Sequence, residues 1–137
     1  MKKLVLIAAT LALAACAGMT SSGKTVNVRL SGAEEVPPLN SVQGSGNGSF
    51  TVADDGSVSG SVTTTGVQGT MAHIHQGGKG QNGPVIVPLT KTGDTYTAPA
   101  GAKLNEAQMS AFKAGNLYVN VHTAANKGGE VRGQLQP

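Results

Sequence analysis

Apolar and polar residues alternate along most of the chain. In the run "TVNVRLS", residues 25–31, Val26, Val28 and Leu30 fall on one side and the polar residues on the other. A two-residue period turns successive side chains to opposite faces of a strand, with one face buried. Phe50 and Val52 continue the pattern in "GSFTVA", and Val58 and Val62 continue it in "SVSGSVTT". Asp54-Asp55-Gly56 between these runs is turn chemistry and predicts a hairpin. "TMAHIH", "VIVPL", "TYTA", "LYVNVHT" and "EVRGQLQ" predict further strands. One segment breaks the rhythm. "LNEAQMSAFKAG" offers Asn105 as an N-cap with Gln108 three residues on, in capping-box spacing. Met109 and Phe112 share a helical face and Gly115 stops the run, which predicts one short helix over 106–114. About eight strands at regular spacing plus a connector helix predict an all-β fold, an antiparallel Greek-key β-sandwich or barrel.

The first residues do not fit this pattern. "MKKLVLIAATLALAAC" carries two lysines, an apolar run and small residues before a cysteine. That order predicts a signal peptide over 1–15. The apolar run falls short of the roughly 20 residues a membrane span requires. Leu13-Ala14-Ala15-Cys16 resembles the bacterial lipobox, which implies lipidation of Cys16 as the mature N-terminus. An ordinary cleaved signal followed by an incidental cysteine is the alternative. Cys16 is the only cysteine, so no disulfide forms within the chain. Residues 16–24 then predict a lipidated N-terminus and flexible tether, and 25–137 the folded domain. The expected location is extracytoplasmic: a membrane-anchored lipoprotein on the periplasmic face of a bacterial outer membrane or on the cell surface.

Charge narrows the partners. Ten basic and seven acidic side chains sum to +3, and without Lys2 and Lys3 the balance is eight against seven. There is neither a basic stripe nor an aromatic platform, which argues against nucleic acid as a partner. The membrane, through the lipid, and a metal ion are the partners expected, and any protein partner is unknown.

The metal expectation comes from three histidines. Alternation puts Ala72 and Ile74 in the core and Met71, His73 and His75 on the other side of their strand. In the same way Leu117, Val119 and Val121 point inward and Tyr118, Asn120 and His122 outward. Val131 and Leu135 point inward, and Glu130, Arg132 and Gln134 outward. All three histidines are therefore expected outside the core packing. Two histidines at i and i+2 of a strand lie about 6.5–7 Å apart. Their imidazoles can converge on one ion at bond lengths of about 2.0–2.1 Å, and His122 from a neighbouring strand supplies a third nitrogen. Imidazole suits copper, zinc, nickel and iron. Solvated surface histidines are the competing reading. Met71 shares the face and is either a soft fourth ligand for Cu(I) or a packing residue under a loop.

Other motifs read as scaffold. Gly77, Gly78, Gly80 and Gly83 serve turns, since no helix opening on Lys-Ser/Thr follows them to make a phosphate cradle. Glu34-Glu35-Val36-Pro37-Pro38 reads as a strand exit held by proline geometry. Adjacent acids in a strand point to opposite faces, which argues against paired acid–base work by Glu34 and Glu35. With no cysteine nucleophile and no serine–histidine–acid set, hydrolase chemistry has no support.

Three stretches carry a family resemblance. "SGAEEVPP", "AHIHQGGKGQNGPVIVPL" and "GNLYVNVHTAANKGGEVRGQL", in that order, resemble the CHRD domain, named from chordin and common in bacterial secreted proteins. The resemblance covers roughly residues 25 to 136. A more distant one is to copper–zinc superoxide dismutases, eight-stranded Greek-key barrels with a His-x-His pair and a late ligand histidine in a "VVVH"-like strand. It implies His73, His75 and His122 as copper ligands, with Arg132 as the arginine that draws superoxide to the copper. The dismutases need further histidines for zinc and an intrachain disulfide, and neither can be built here. Copper is therefore the implied cofactor ahead of zinc, on either a superoxide-dismutase-like or an immunoglobulin-like barrel. Three functions stay open: copper binding, buffering or protection; a metal-free protein-interaction module; and a copper-only, dismutase-like redox enzyme.

Overall fold

The computed structural model describes residues 22–137. The expected signal peptide, Cys16 and most of the tether lie outside the described residues. Nine strands and one α-helix follow in order: β1 (Gly23–Ser31), β2 (Ser45–Ala53), β3 (Val58–Thr65), β4 (Gly69–Gln76), β5 (Val85–Pro88), β6 (Thr90–Thr92), β7 (Thr95–Thr97), α1 (Glu106–Lys113), β8 (Leu117–Thr123) and β9 (Val131–Leu135). Every strand pairing is antiparallel, and the sheet order is β5-β4-β8-β9-β1-β2-β3-β7-β6.

The two edge strands of that order are consecutive in the chain, with only Leu89 between them. The Leu89 N–H still donates to the Ala72 carbonyl of β4 at 3.0 Å. One chain run thus leaves one edge of the sheet and enters the other, so the sheet curls into a nearly closed barrel. Closure of this kind leaves little free edge to pair with other chains. The expectation of about eight strands missed β6, to which no strand was assigned. "VIVPL" ends as β5 at Pro88, where the ring nitrogen has no proton to donate to a ladder, and the chain resumes as β6.

The inward positions expected from the alternation fill the barrel. Leu30, Phe50, Val62, Val119, Val121 and Val131 are fully buried, and Ile74, Ala72 and Leu135 nearly so. Each of the larger of these side chains contributes about 1.5–3 kcal/mol relative to exposure. The hairpin at Asp54–Gly56 forms, with Gly56 at φ +89°, a conformation that glycine adopts freely. The ladder between β1 and β9 pairs only Ser31 with Arg132. Gly133 makes the approach possible, because a Cβ there would collide with the Arg29 carbonyl. The helix forms as expected, and its capping box is complete. The Asn105 side chain accepts from Gln108 N–H at 2.9 Å, and the Gln108 side chain accepts from Asn105 N–H at 2.9 Å. Phe112 is its buried residue.

One expectation fails. Side chains alternate as read, but much of the outward face of β4, β8 and β9 is covered rather than solvated. Every residue of β8 is buried, Arg132 is 1% exposed, and His75 and His122 are 7% and 8% exposed. The reason is coverage by irregular chain. The segment 77–84, the segment 124–130 and a 3₁₀ turn at Gly32–Glu34 lead the backbone across these strands. The first segment bonds to Arg132, and the second to His122 and Asn120. The "EEVPP" stretch is likewise not a strand exit. Glu34 ends the 3₁₀ turn, half-exposed and 3.8 Å from Lys79, while Glu35 is 4% exposed.

Candidate metal centre

Strands β4 and β8 build the site. In their register Met71 faces His122, His73 faces Asn120 and His75 faces Tyr118. Period-2 alternation puts His73 and His75 on one face, and the antiparallel pairing brings His122 diagonally beside His73. Ring centroids lie 4.8 Å apart for His73 and His122, 5.5 Å for His73 and His75, and 5.9 Å for His75 and His122. One ligand nitrogen from each ring lies within 4.8 Å of the others, so the three histidines can hold a metal ion. A tetrahedral ion with bonds of about 2.0–2.1 Å needs ligand nitrogens about 3.3 Å apart. His73 Nδ1 and His122 Nε2, at 3.0 Å, already meet that spacing, and the widest pair has to close.

Backbone carbonyls fix which nitrogens face the centre. His75 Nδ1 lies 2.9 Å from the Gly83 oxygen, and His122 Nδ1 lies 2.8 Å from the Lys127 oxygen. A carbonyl only accepts, so each Nδ1 carries the proton and each Nε2 keeps its lone pair. Partners of this kind orient ligand histidines and set their tautomers. His73 Nδ1 then donates to His122 Nε2, in the place where a metal ion would replace that proton. His75 Nε2 is buried without any hydrogen-bond partner. The donor set presented inward is His73 Nδ1, His75 Nε2 and His122 Nε2.

The electrostatics favour the neutral, ligand-competent rings. Burial, then the neighbouring His122 and His75, hold the His73 pKa down at about 4. Burial also lowers His75, opposed by its bond to Gly83 and by the neighbouring Asn120 side chain. His73 is the half-buried member and lies on the open side of the cluster.

Around the histidines lie groups to which the sequence assigned no part in the site. The Tyr118 ring stacks on His75 with centroids 4.7 Å apart and planes within 4°. The Asn120 amide donates to the Gly128 carbonyl at 3.3 Å. Glu35 lies near Asn120 and Arg132, and burial raises its carboxyl to about 7 against the pull of both. No periodicity announces Glu35, and the one available signal was the acidic pair in "SGAEEVPP". Arg132 does not take the exposed place implied for an anion-guiding arginine. Its guanidinium lies 3.4 Å over the Tyr118 ring and donates to the carbonyls of Gly78 and Gln81 and to Asn82 Oδ1. Met71 is 51% exposed, which overturns its reading as a residue packed under a loop and leaves it on the rim beside His122.

Among the described residues no helix is long and apolar enough to cross a membrane. No curated protein and no solved structure matches the chain, so the dismutase resemblance rests on residues alone. A family model for the CHRD domain matches residues 26–135, from the first core valine of β1 to the last core leucine of β9. The protein therefore belongs to the CHRD domain family.

Proposed function

We propose that this CHRD domain binds one transition-metal ion, copper ahead of zinc, through His73 Nδ1, His75 Nε2 and His122 Nε2. It buffers or sequesters that ion outside the cytoplasm, tied to a membrane by a lipid on Cys16. The observation that carries the reading is His75 Nε2, buried and unpartnered at a cluster whose other two ligand nitrogens are 3.0 Å apart. A buried polar atom without a partner costs about 1–3 kcal/mol, and a bound ion removes that cost. The donor set supports copper. It is all imidazole, without thiolate or carboxylate, and copper heads the affinity order of the divalent ions at nitrogen sites. Met71 on the rim offers a soft thioether to the reduced ion. Binding and buffering, not catalysis, is the activity proposed, because Arg132 is spent on the fold.

The test is a copper and zinc titration of the full chain against a competing chelator. Each single His→Ala variant should bind at least about a hundredfold more weakly than wild type, since loss of even an outer partner costs 10–100-fold. If wild type binds no better than the triple His→Ala variant, the metal reading falls and a metal-free interaction module replaces it. The anchor is tested separately: Cys16→Ser should abolish incorporation of labelled fatty acid, and equal labelling of both forms refutes it.

A further inference from the structure

Arg132 is the most buried cation among the described residues, at 1% exposure. A buried guanidinium is costly unless its donors are satisfied. Here every hydrogen bond the guanidinium makes goes to one loop. Nη2 donates to the Gly78 oxygen at 3.1 Å and the Gln81 oxygen at 2.6 Å, and Nη1 donates to Asn82 Oδ1 at 3.2 Å. That loop ends at Gly83, whose carbonyl accepts from His75 Nδ1. The Gly83 N–H donates to the Tyr118 hydroxyl at 3.0 Å. Strand β8 lies between β4 and β9. His75 therefore reaches the Tyr118 ring from the β4 side, and Arg132 reaches it from the β9 side.

We infer that Arg132 is a positioning residue for the histidine cluster, holding the loop over 78–83 and the Tyr118 ring so that the Gly83 carbonyl selects the His75 tautomer with Nε2 free. Two routes lead from the guanidinium to the same imidazole. One runs through the loop backbone to Gly83, and the other through the stacked phenol ring. Both act on His75 alone. His122 takes its orientation from Lys127, on a different loop. The inference deepens the metal-binding reading and rests on it for its purpose, although the tautomer itself is a property of the metal-free protein.

Lysine keeps the charge but has neither the planar fork nor the flat face that stacks on an aromatic ring. Arg132→Lys is therefore the informative variant, with Arg29→Lys on the exposed side of β1 as a control. In the metal-free full chain, long-range ¹⁵N–¹H spectra report the tautomer of each imidazole. Wild type and Arg29→Lys should show His75 as the Nδ1–H form. Arg132→Lys should show a mixture at His75 with His122 unchanged. In a zinc titration against a chelator, Arg132→Lys should then lose about 10–100-fold in affinity, the range for residues that orient a ligand. A folded Arg132→Lys protein with wild-type His75 signals overturns the inference whatever its metal affinity. If Arg132→Lys does not fold, Asn82→Ala removes one of the guanidinium's contacts at an exposed side chain, together with the Asn82 bond to the Val36 carbonyl. It should still shift part of the His75 population, and no shift there also overturns the inference. Should wild-type protein bind no zinc or copper, the metal reading fails while the tautomer result still decides the role of Arg132.

Discussion

The barrel has two outer faces built by the same alternation, and they end in opposite environments. On β1, β2 and β3 the outward residues Thr25, Asn27, Arg29, Asn47, Ser59 and Thr63 are exposed. Their hydroxyls pair across strands, Thr25 with Thr51 at 2.7 Å and Thr63 with Thr95 at 2.8 Å. On β4, β8 and β9 the outward residues His75, Tyr118, Asn120, His122 and Arg132 are buried. The first face consists of short side chains that water can satisfy. The second carries rings and charged groups that only loops satisfy, through carbonyls and N–H groups placed one by one. Water satisfies a polar group anywhere, whereas a covering loop satisfies it in one geometry. The covered face is therefore where side chains are held in fixed orientations, and the histidine cluster lies there.

The largest effect should come from filling that site. Only the folded protein assembles it, so zinc or copper at about a hundredfold above the dissociation constant should stabilise wild type by about 2.7 kcal/mol. His75→Ala should abolish the gain, and chelator should reverse it in wild type. Thermal denaturation with and without metal measures both. An equal gain in wild type and His75→Ala would place the ion elsewhere.

Next comes the fit between loop and sheet. Gly129 sits at φ +127°, and a Cβ there would collide with Asn120 Nδ2 and Glu35 Oε1. Gly129→Ala combines backbone strain with overpacking, each worth about 1–3 kcal/mol. Gly93 has positive φ too, at +60°, but open space around it, so Gly93→Ala should cost only the strain. Urea denaturation of the two variants measures the difference, and equal losses would mean that loop 124–130 yields easily.

The covered face should also make stability depend on pH in two opposed ways. The Glu35 carboxyl is raised from 4.5 to about 7. Between those values the folded state holds a proton that the unfolded state has lost, so its contribution to stability falls as pH rises through this window. His73 is lowered from 6.5 to about 4. There the unfolded state holds the extra proton, so stability falls as pH drops from 6.5 toward 4. Glu35→Gln removes the first effect and keeps the second. Relative to metal-free wild type, it should be more favourable at pH 8 than at pH 5. Denaturant midpoints at the two values test this, and a difference independent of pH would show that the carboxyl titrates normally.

What the chain discloses before folding follows the same division. Periodicity is a property of regular backbone, so the inward residues from Val26 to Leu135 and the side of each strand taken by the histidines were legible. The helix was legible because Asn105 and Gln108 announce a local interaction. Burial of the outward face was not, because it depends on where segments 77–84 and 124–130 travel, and irregular chain has no period to read. Arg132 illustrates the consequence. Its direction from β9 was correct, yet its partners Gly78 and Gln81 are more than fifty residues away and bond through backbone atoms that any sequence carries. Glu35 was missed for the same reason. Its strand reading assumed a regular backbone where a 3₁₀ turn carries it inward.

The finest comparison deletes one hydroxyl from each face. Tyr118→Phe keeps the ring that stacks on His75 but removes the acceptor of the Gly83 N–H, bonded at 3.0 Å. A donor left without its partner in a half-buried loop should cost about 1–3 kcal/mol. Thr63→Val removes a hydroxyl that bonds Thr95 at 2.8 Å on the exposed face. Water replaces that partner and valine suits a strand at least as well, so the change should stay within about 0.5 kcal/mol of wild type. Denaturant midpoints with unchanged slopes give both numbers. Were Thr63→Val to cost as much as Tyr118→Phe, the two faces would not differ in how their polar groups are satisfied, and the covering loops would lose their role in holding His75.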